Sequence, residues 1–330
     1  MNLSFAGCGF LGVYHVGAAV CFRTHAPHLL RGKITGASAG ALTAVCLLCD
    51  LSIAELTSAY FHLVNGANPY TFGLFNPLFD LQKCIKEGLQ KFLPEDAHER
   101  CTGKLHISLT RVYDGKNVIV SQYNSRDELI NALLCACFIP MISGVLPPRF
   151  YGVRYMDSGF SDNLPTLDEH TVTVSPFCGE SDICPRDDSW KMFHLNWTNT
   201  SIEISKKNFS RFRGMFFAPE QDVMMKMCQS GFDDALCFLQ RNILINCERC
   251  LTISYANDDN FMSQHTEDDP ECEKCIEKRN EAKEGFMPES VLNVFETNFR
   301  MLSQKSYLLS SCTPENLWKN LQRLSPWFIA

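Results

Sequence analysis

Ile34-Thr35-Gly36-Ala37-Ser38-Ala39-Gly40-Ala41-Leu42 reads as G-x-S-x-G, with apolar Ile34 before it and the apolar run Ala41 to Cys49 after it. The pattern predicts a strand, a sharp turn and a buried helix, with Ser38 at the turn. A serine hydroxyl is a weak nucleophile and reaches a substrate best from such a turn. Gly36 and Gly40 have no Cβ, so neighbouring backbones can approach closely. Small-residue runs of this kind also occur as plain tight turns, so the segment needs support from the rest of the chain.

Upstream, Asn2 to Ala6 reads as a strand that ends in Gly7-Cys8-Gly9-Phe10-Leu11-Gly12, and Val13 to His25 reads as a helix. Two readings of this glycine-rich loop compete. A dinucleotide fingerprint calls for an acidic residue about 20 positions on. Pro27 to Thr35 holds no Asp or Glu and offers Arg31 and Lys33 instead. An oxyanion hole needs only backbone N–H groups at the start of a helix, aimed at developing negative charge. The serine turn downstream gives such a hole something to serve, and this reading is preferred.

Downstream, Leu51 to Asn65 and Asp80 to Phe92 read as helices. Between them, Gly66 to Phe79 is a loop with two prolines and several large apolar residues. It suits either a flap over an apolar cleft or a cap on the core. Leu105 to Val112 and Asn117 to Tyr123 read as strands joined by an Asp114-Gly115 turn. Ser125 with Glu128 forms a capping box for a helix over Asp127 to Phe138. Val153 to Met156 is a short strand that runs into Asp157-Ser158-Gly159. An acidic residue at a strand end beside glycine fits a catalytic carboxylate, and it also fits an ordinary turn. Val172 to Phe177 reads as a buried strand, and residues 200–245 as mainly helical.

The chain has 330 residues and a formal charge of −7 with no long basic run, which argues against nucleic acid as a partner. Its 17 cysteines sit mostly in apolar runs such as Cys46-Leu47-Leu48-Cys49. With Asn2 to Phe5 already reading as strand and no leader in front, the expectation is a cytoplasmic protein with reduced thiols. The sequons at Asn2, Asn196, Asn199 and Asn208 are then chance matches.

Taken in order, Gly7-x-Gly9-x-x-Gly12, Gly36-x-Ser38-x-Gly40 and Asp157-Ser158-Gly159 resemble the patatin-like phospholipase family over roughly residues 2–245. Phe5 to Tyr14, Ile107 to Val112 and Ser175 to Pro185 are similar to its adipose triglyceride lipase branch, and the Asn246 to Cys275 region to the insect member of that branch. The resemblance implies a three-layer α/β/α fold with a mainly helical C-terminal extension. It also implies a Ser38–Asp157 dyad, with Gly7, Gly9, Phe10 and Gly12 forming the oxyanion motif. The implied activity is hydrolysis of triacylglycerol at the lipid-droplet surface, with a protein coactivator and no cofactor needed for catalysis. The family has Asp-Gly-Gly or Asp-Gly-Ala where this chain has Ser158 after the aspartate.

On this reading Asp157 accepts the Ser38 proton, and burial by Tyr155, Met156 and Phe160 raises its pKa far enough for the task. The rival is a triad in the order Ser…Asp…His through His170, which stands in a polar turn; both His170 and His15, the latter on the first helix, are expected to be structural. Phospholipase and transacylase activities would use the same dyad. A lipid-surface scaffold is the alternative outside enzymology, though both Ser38 and Asp157 are intact.

The expected organisation is a catalytic domain over 2–185, a helical extension over 186–245 and a Cys-containing, partly disordered appendage over 246–330. In the appendage, Cys247-x-x-Cys250 and Cys272-x-x-Cys275 stand 21 residues apart. Four thiolates at this spacing can hold a structural Zn²⁺, or can be unconnected thiols. Residues 256–285 are acidic and read as a solvated loop. Leu317 to Phe328 forms a short amphipathic segment with two tryptophans, suited either to a lipid surface or to packing on the main domain.

Overall fold

The structure, a computed structural model, describes residues 1–67, 73–75, 79–187, 193–246, 250, 272–283, 287–289 and 291–297. β1 (Asn2–Phe5), β2 (Ile34–Gly36), β3 (Leu105–Arg111), β4 (Asn117–Val120), β5 (Arg149–Phe150), β6 (Val153–Asp157) and β7 (Thr171–Val174) share one sheet. The order is β5-β6-β3-β2-β1-β7, with β4 also paired to β3. The centre is parallel: β1 pairs with β2 and β7, and β2 with β3. β4 and β6 join β3 antiparallel, and β5 joins β6 in the same sense. Leu3, Ser4, Phe5, Ile34 and Thr35 are all buried, so the central strands lie between two layers. That is why their sequences show no clean alternation.

The register brings two distant segments together. Gly36, the last residue of β2, lies opposite Ile107 on β3. Asp157, the last residue of β6, lies opposite Leu109 on the same strand. Two residues of strand span about 7 Å, so residues more than 100 positions apart in sequence meet on one side of β3.

α1 (Val13–His25) and α2 (Ala39–Leu48) follow β1 and β2; α3 (Ile53–Ala67), α4 (Leu81–Phe92), α5 (Ala97–Cys101) and α6 (Arg126–Ala136) come before β5. Helices cover the sheet in a three-layer α/β/α arrangement, with one core that runs through Leu3, Phe5, Phe22, Ile34, Leu105 and Ile107. Local chemistry fixes several ends. Asp80 Oδ1 accepts the Lys83 N–H at 2.9 Å and caps α4. Ser125 Oγ accepts the Glu128 N–H at 3.1 Å, while Glu128 Oε2 takes the Asn124 N–H at 2.6 Å. Each such cap stabilises its helix by about 1 kcal/mol. The Asp114-Gly115 turn joins β3 to β4 as expected, and Asp114 also pairs with Arg111 at 2.6 Å.

The C-terminal part departs from expectation in two places. Between the main sheet and the next helices stands a hairpin, β8 (His194–Trp197) with β9 (Thr200–Glu203). It precedes α7 (Lys206–Phe216) and α8 (Gln221–Arg241), and α8 packs along α1. Within the segment read as a solvated loop, Glu273–Lys283 forms helix α9. Its charged sequence hides the helix from a search for apolar periodicity. The Gly66 to Phe79 loop is described only at 66–67, 73–75 and 79, and Leu317 to Phe328 lies outside the described residues.

Candidate active site

Ser38 sits between β2 and α2 with φ +49° and ψ −120°, a backbone conformation that a residue with a side chain adopts at a cost. The two flanking glycines make the turn possible. A Cβ on Gly36 would stand 2.6 Å from the Ala41 nitrogen, and one on Gly40 would collide with the Phe5 carbonyl oxygen. The start of α2 is therefore pressed against β1 and β2. The turn is held by the Ala37 N–H donating to the Phe5 carbonyl at 3.2 Å and the Gly40 N–H to the Ala37 carbonyl at 2.8 Å. The Ser38 side chain projects into a cleft from which Asp157 also emerges.

Asp157 is 5% exposed. Its backbone is fixed on both sides: its N–H donates to the Phe138 carbonyl at 2.9 Å, and its carbonyl accepts from Thr110 Oγ1 at 2.8 Å. Its carboxylate Oδ1 accepts the Gly159 N–H at 2.7 Å. Burial raises its pKa from 3.8 to about 6, after partial offset by the Ser38 hydroxyl and the Gly159 N–H. The neighbours responsible differ in part from those expected. Tyr155 is buried, but Met156 projects to the other face of β6 by the two-residue period of a strand. Phe160 is 52% exposed and belongs to the rim of the cleft. Cys8 and Cys137 stand near the carboxylate instead, and burial raises both thiols far enough to keep them neutral.

The glycine-rich loop closes the third side. Gly7, Cys8 and Gly9 line the same cleft as Ser38 and Asp157. Gly9 has φ +54° beneath the Met215 carbonyl of α7. The Gly7 N–H donates to the Asn163 carbonyl at 3.1 Å, so this amide is already used. Among the described residues, no acceptor takes the N–H of Gly9 or Phe10. Gly12 is buried at the start of α1, behind this loop and away from the cleft lining.

Asn163 is a residue that sequence reasoning missed. Its Nδ2 donates to the Gly7 carbonyl and to Thr200 Oγ1, both at 3.1 Å, and its own N–H donates to the Thr198 carbonyl at 2.8 Å. One buried amide thus locks the glycine-rich loop to the segment after Asp157 and to the β8–β9 hairpin. The only hint in sequence was an Asn before Leu164-Pro165, which reads as a turn. Ser158 lies in a short 3-10 turn without positive φ, so serine fits the backbone where the family pattern has glycine. Its hydroxyl is buried and has no partner among the described residues.

Neither candidate histidine enters the cleft. His170 is exposed and precedes Thr171, which pairs with Asn2 at the starting ends of β7 and β1. Ser38 follows the finishing ends of the parallel strands, on the opposite edge of the sheet. His15 is buried beneath the loop, where Nε2 lies 2.8 Å from the Ala6 carbonyl and 3.3 Å from Cys8 Sγ. Burial lowers its pKa to about 4, which keeps the ring neutral.

A second, strongly apolar cavity shares Gly9 and Ser38 with the cleft and runs back between α2, α3 and α4 past Leu42, Leu56, Leu63, Ile85 and Leu89. The rim on the other side is aromatic, with Phe160, Trp197 and Phe212 half-exposed at the opening. A hydroxyl, a buried carboxylate with a pKa near neutrality and spare amides can together transfer an acyl group. Apolar space on one side of the hydroxyl accommodates a hydrocarbon chain. Three of the four expected metal-binding cysteines, Cys250, Cys272 and Cys275, also converge, far in sequence from this cleft. Cys247 lies outside the described residues.

The patatin-like phospholipase family pattern matches residues 3–169. The chain is 50% identical over 248 residues to human patatin-like phospholipase domain-containing protein 2, covering 74% of this chain and 49% of that protein. It is 48% identical over 257 residues to mouse 1-acylglycerol-3-phosphate O-acyltransferase Pnpla3, covering 77% of this chain and 62% of the relative. Human patatin-like phospholipase domain-containing protein 5 is 42% identical over 245 residues, with coverage of 73% and 57%. The chain therefore spans about half to three fifths of the length of these relatives. Among the described residues, no helix is long and apolar enough to cross a membrane.

Proposed function

The chain belongs to the patatin-like phospholipase family, and from that premise we propose that it hydrolyses long-chain acyl esters of neutral lipid through Ser38 and Asp157. The observation that carries this reading is the buried Asp157 carboxylate, with its pKa raised to about 6, in one cleft with a turn-mounted serine and no histidine among the described lining residues. Ser38 Oγ attacks the ester carbonyl while its proton passes to Asp157. The oxyanion forms against the amides of Gly9 and Phe10; losing one such donor costs about a hundredfold or more in rate. The Ser38–acyl bond remains as the alcohol leaves with the proton held by Asp157. Asp157 then takes a proton from a water as its oxygen attacks the acyl carbonyl; the bond to Ser38 breaks, the fatty acid leaves, and Asp157 returns the proton to Ser38 Oγ.

Triacylglycerol is the preferred substrate class. The apolar cavity behind Ser38 takes one acyl chain, and the aromatic rim with Phe160, Trp197 and Phe212 faces the lipid surface from which the rest of the substrate is drawn. The lipid-droplet surface as the site of action and a protein coactivator belong to this reading through the resemblance. The chemistry calls for no cofactor. The catalytic unit is residues 2–185, extended by 186–245, with 246–330 as an appendage.

A second reading rests on the mouse relative, which bears the name of an acyltransferase. The same acyl-enzyme would then be resolved by an acceptor alcohol in place of water. The test is release of fatty acid from emulsified triacylglycerol and from phospholipid vesicles, with and without an added acylglycerol acceptor, with Ser38→Ala as the control. The reading predicts fatty-acid release from the emulsion that Ser38→Ala abolishes. Activity that survives Ser38→Ala would overturn it, and acyl transfer exceeding hydrolysis would favour the second reading.

A further inference from the structure

The sequence after α8 carries a cluster that the chemistry above leaves unused. The Sγ atoms of Cys250, Cys272 and Cys275 all lie within 4.8 Å of one another, although 21 residues separate the first from the second. The local fold explains two of them. The Cys272 carbonyl accepts the N–H of Cys275 at 2.8 Å and of Ile276 at 3.1 Å, so the first turn of α9 folds both thiols onto one side. Cys275 is buried, and Cys250 and Cys272 are half-buried, so the group sits at the seam between α9 and the chain that leaves α8.

A tetrahedral site with Zn–S bonds of about 2.3 Å sets sulfur atoms roughly 3.8 Å apart, a spacing this cluster can meet. A disulfide needs about 2.05 Å and joins two sulfurs, whereas three converge here. Soft thiolates select zinc over magnesium or calcium. We propose that Cys250, Cys272 and Cys275 bind one structural zinc ion as thiolates. Each thiol gives up its proton on binding, and no oxidant or reductant takes part. Thiolate ligands from two segments of the chain suit a structural role, since they tie those segments together.

Such a site gives α9 an anchor that its sequence lacks. An 11-residue, highly charged helix is marginal by itself. Its C-terminal end is tied by Ala282, which is buried in the main core, and its middle by Arg279, which donates to the Ile245 carbonyl at 3.3 Å and to Asn246 Oδ1 at 3.2 Å; the cysteines would anchor its first turn. Beyond α9, Met287, Val291 and Phe295 enter the main core, where Phe295 meets Phe61 of α3 edge-on with ring centroids 4.8 Å apart. α3 also supplies Leu56, Tyr60 and Leu63 to the wall of the apolar cavity. The zinc therefore holds the brace behind the acyl cavity.

Elemental analysis of the full chain, purified without chelator, is expected to give about one zinc per chain. Cys272→Ser and Cys275→Ser lose it, and Ser38→Ala keeps it. Stripping the wild-type protein with a chelator lowers its Tm and speeds hydrogen exchange in α9 and α3. Cobalt(II) substitution of the wild-type protein gives thiolate-to-metal charge-transfer absorption, a readout that does not depend on the folding of any variant. Reduced protein that neither retains zinc nor takes it up from a chromophoric competitor overturns the proposal. So does an intact mass two hydrogens lower without metal, which marks a disulfide.

Discussion

Replacing Asp157 by asparagine removes the buried carboxylate of the cleft. Its pKa of about 6 in the folded protein stands above the ordinary 3.8. That difference corresponds to about 3 kcal/mol between the neutral and the ionised carboxyl. Because the folded pKa is the higher one, the folded state holds the proton more tightly than the unfolded chain. The stabilisation is fully present below pH 3.8 and is lost as pH rises through 6. At pH 7.5 the wild type keeps a buried charge, whereas the amide of the variant is neutral at every pH. Asparagine retains an oxygen to accept the Gly159 N–H. The Asp157→Asn variant is therefore expected to be inactive yet more stable at pH 7.5, by up to about 3 kcal/mol, which raises Tm by a few degrees. The advantage disappears at pH 4. Calorimetry or dye-based melting of both proteins from pH 4 to 8 reads this directly, since their other titrating groups are shared. A gap in Tm that is flat across pH, or a variant less stable than wild type at pH 7.5, would refute the electrostatic reasoning.

Ser158→Ala removes a buried hydroxyl without a partner among the described residues; it is expected to raise stability by about 1 kcal/mol in denaturant melts and to leave ester hydrolysis intact. Asn163→Ala strands the buried Gly7 carbonyl; a loss of about 1–3 kcal/mol in stability is expected, with kcat falling more than KM changes, because the amides of the loop lose their support.

Much of the site was legible because its chemistry is local in sequence. Gly36, Ser38 and Gly40 fix the turn within five residues, and the capping box at Ser125 and Glu128 is equally short-range. The meeting of Ser38 with Asp157 was legible only through family resemblance. Physically it depends on β3 pairing with β2 at Ile107 and with β6 at Leu109, and no local pattern encodes that register. The burial of Asp157 was anticipated, but its agents only in part: Tyr155 is buried as expected, whereas strand alternation turns Met156 away, and the thiols of Cys8 and Cys137 come from other segments. The β8–β9 hairpin escaped notice because all four residues of β8 are exposed, so no alternation of apolar and polar residues marks it. α9 escaped because charge outweighs its few apolar positions. Asn163 acts through backbone groups distant in sequence, a role that residue type alone does not announce.

The central claim is that Ser38 is activated by Asp157 without a histidine. The most direct measurement is the rate at which a fluorophosphonate labels Ser38, followed by intact-protein mass spectrometry as a function of pH in the wild type, Asp157→Asn and His170→Ala. The account predicts wild-type labelling that rises through pH 6, the same curve for His170→Ala, and almost none for Asp157→Asn. Labelling of Asp157→Asn at the wild-type rate, or its loss in His170→Ala, would contradict it.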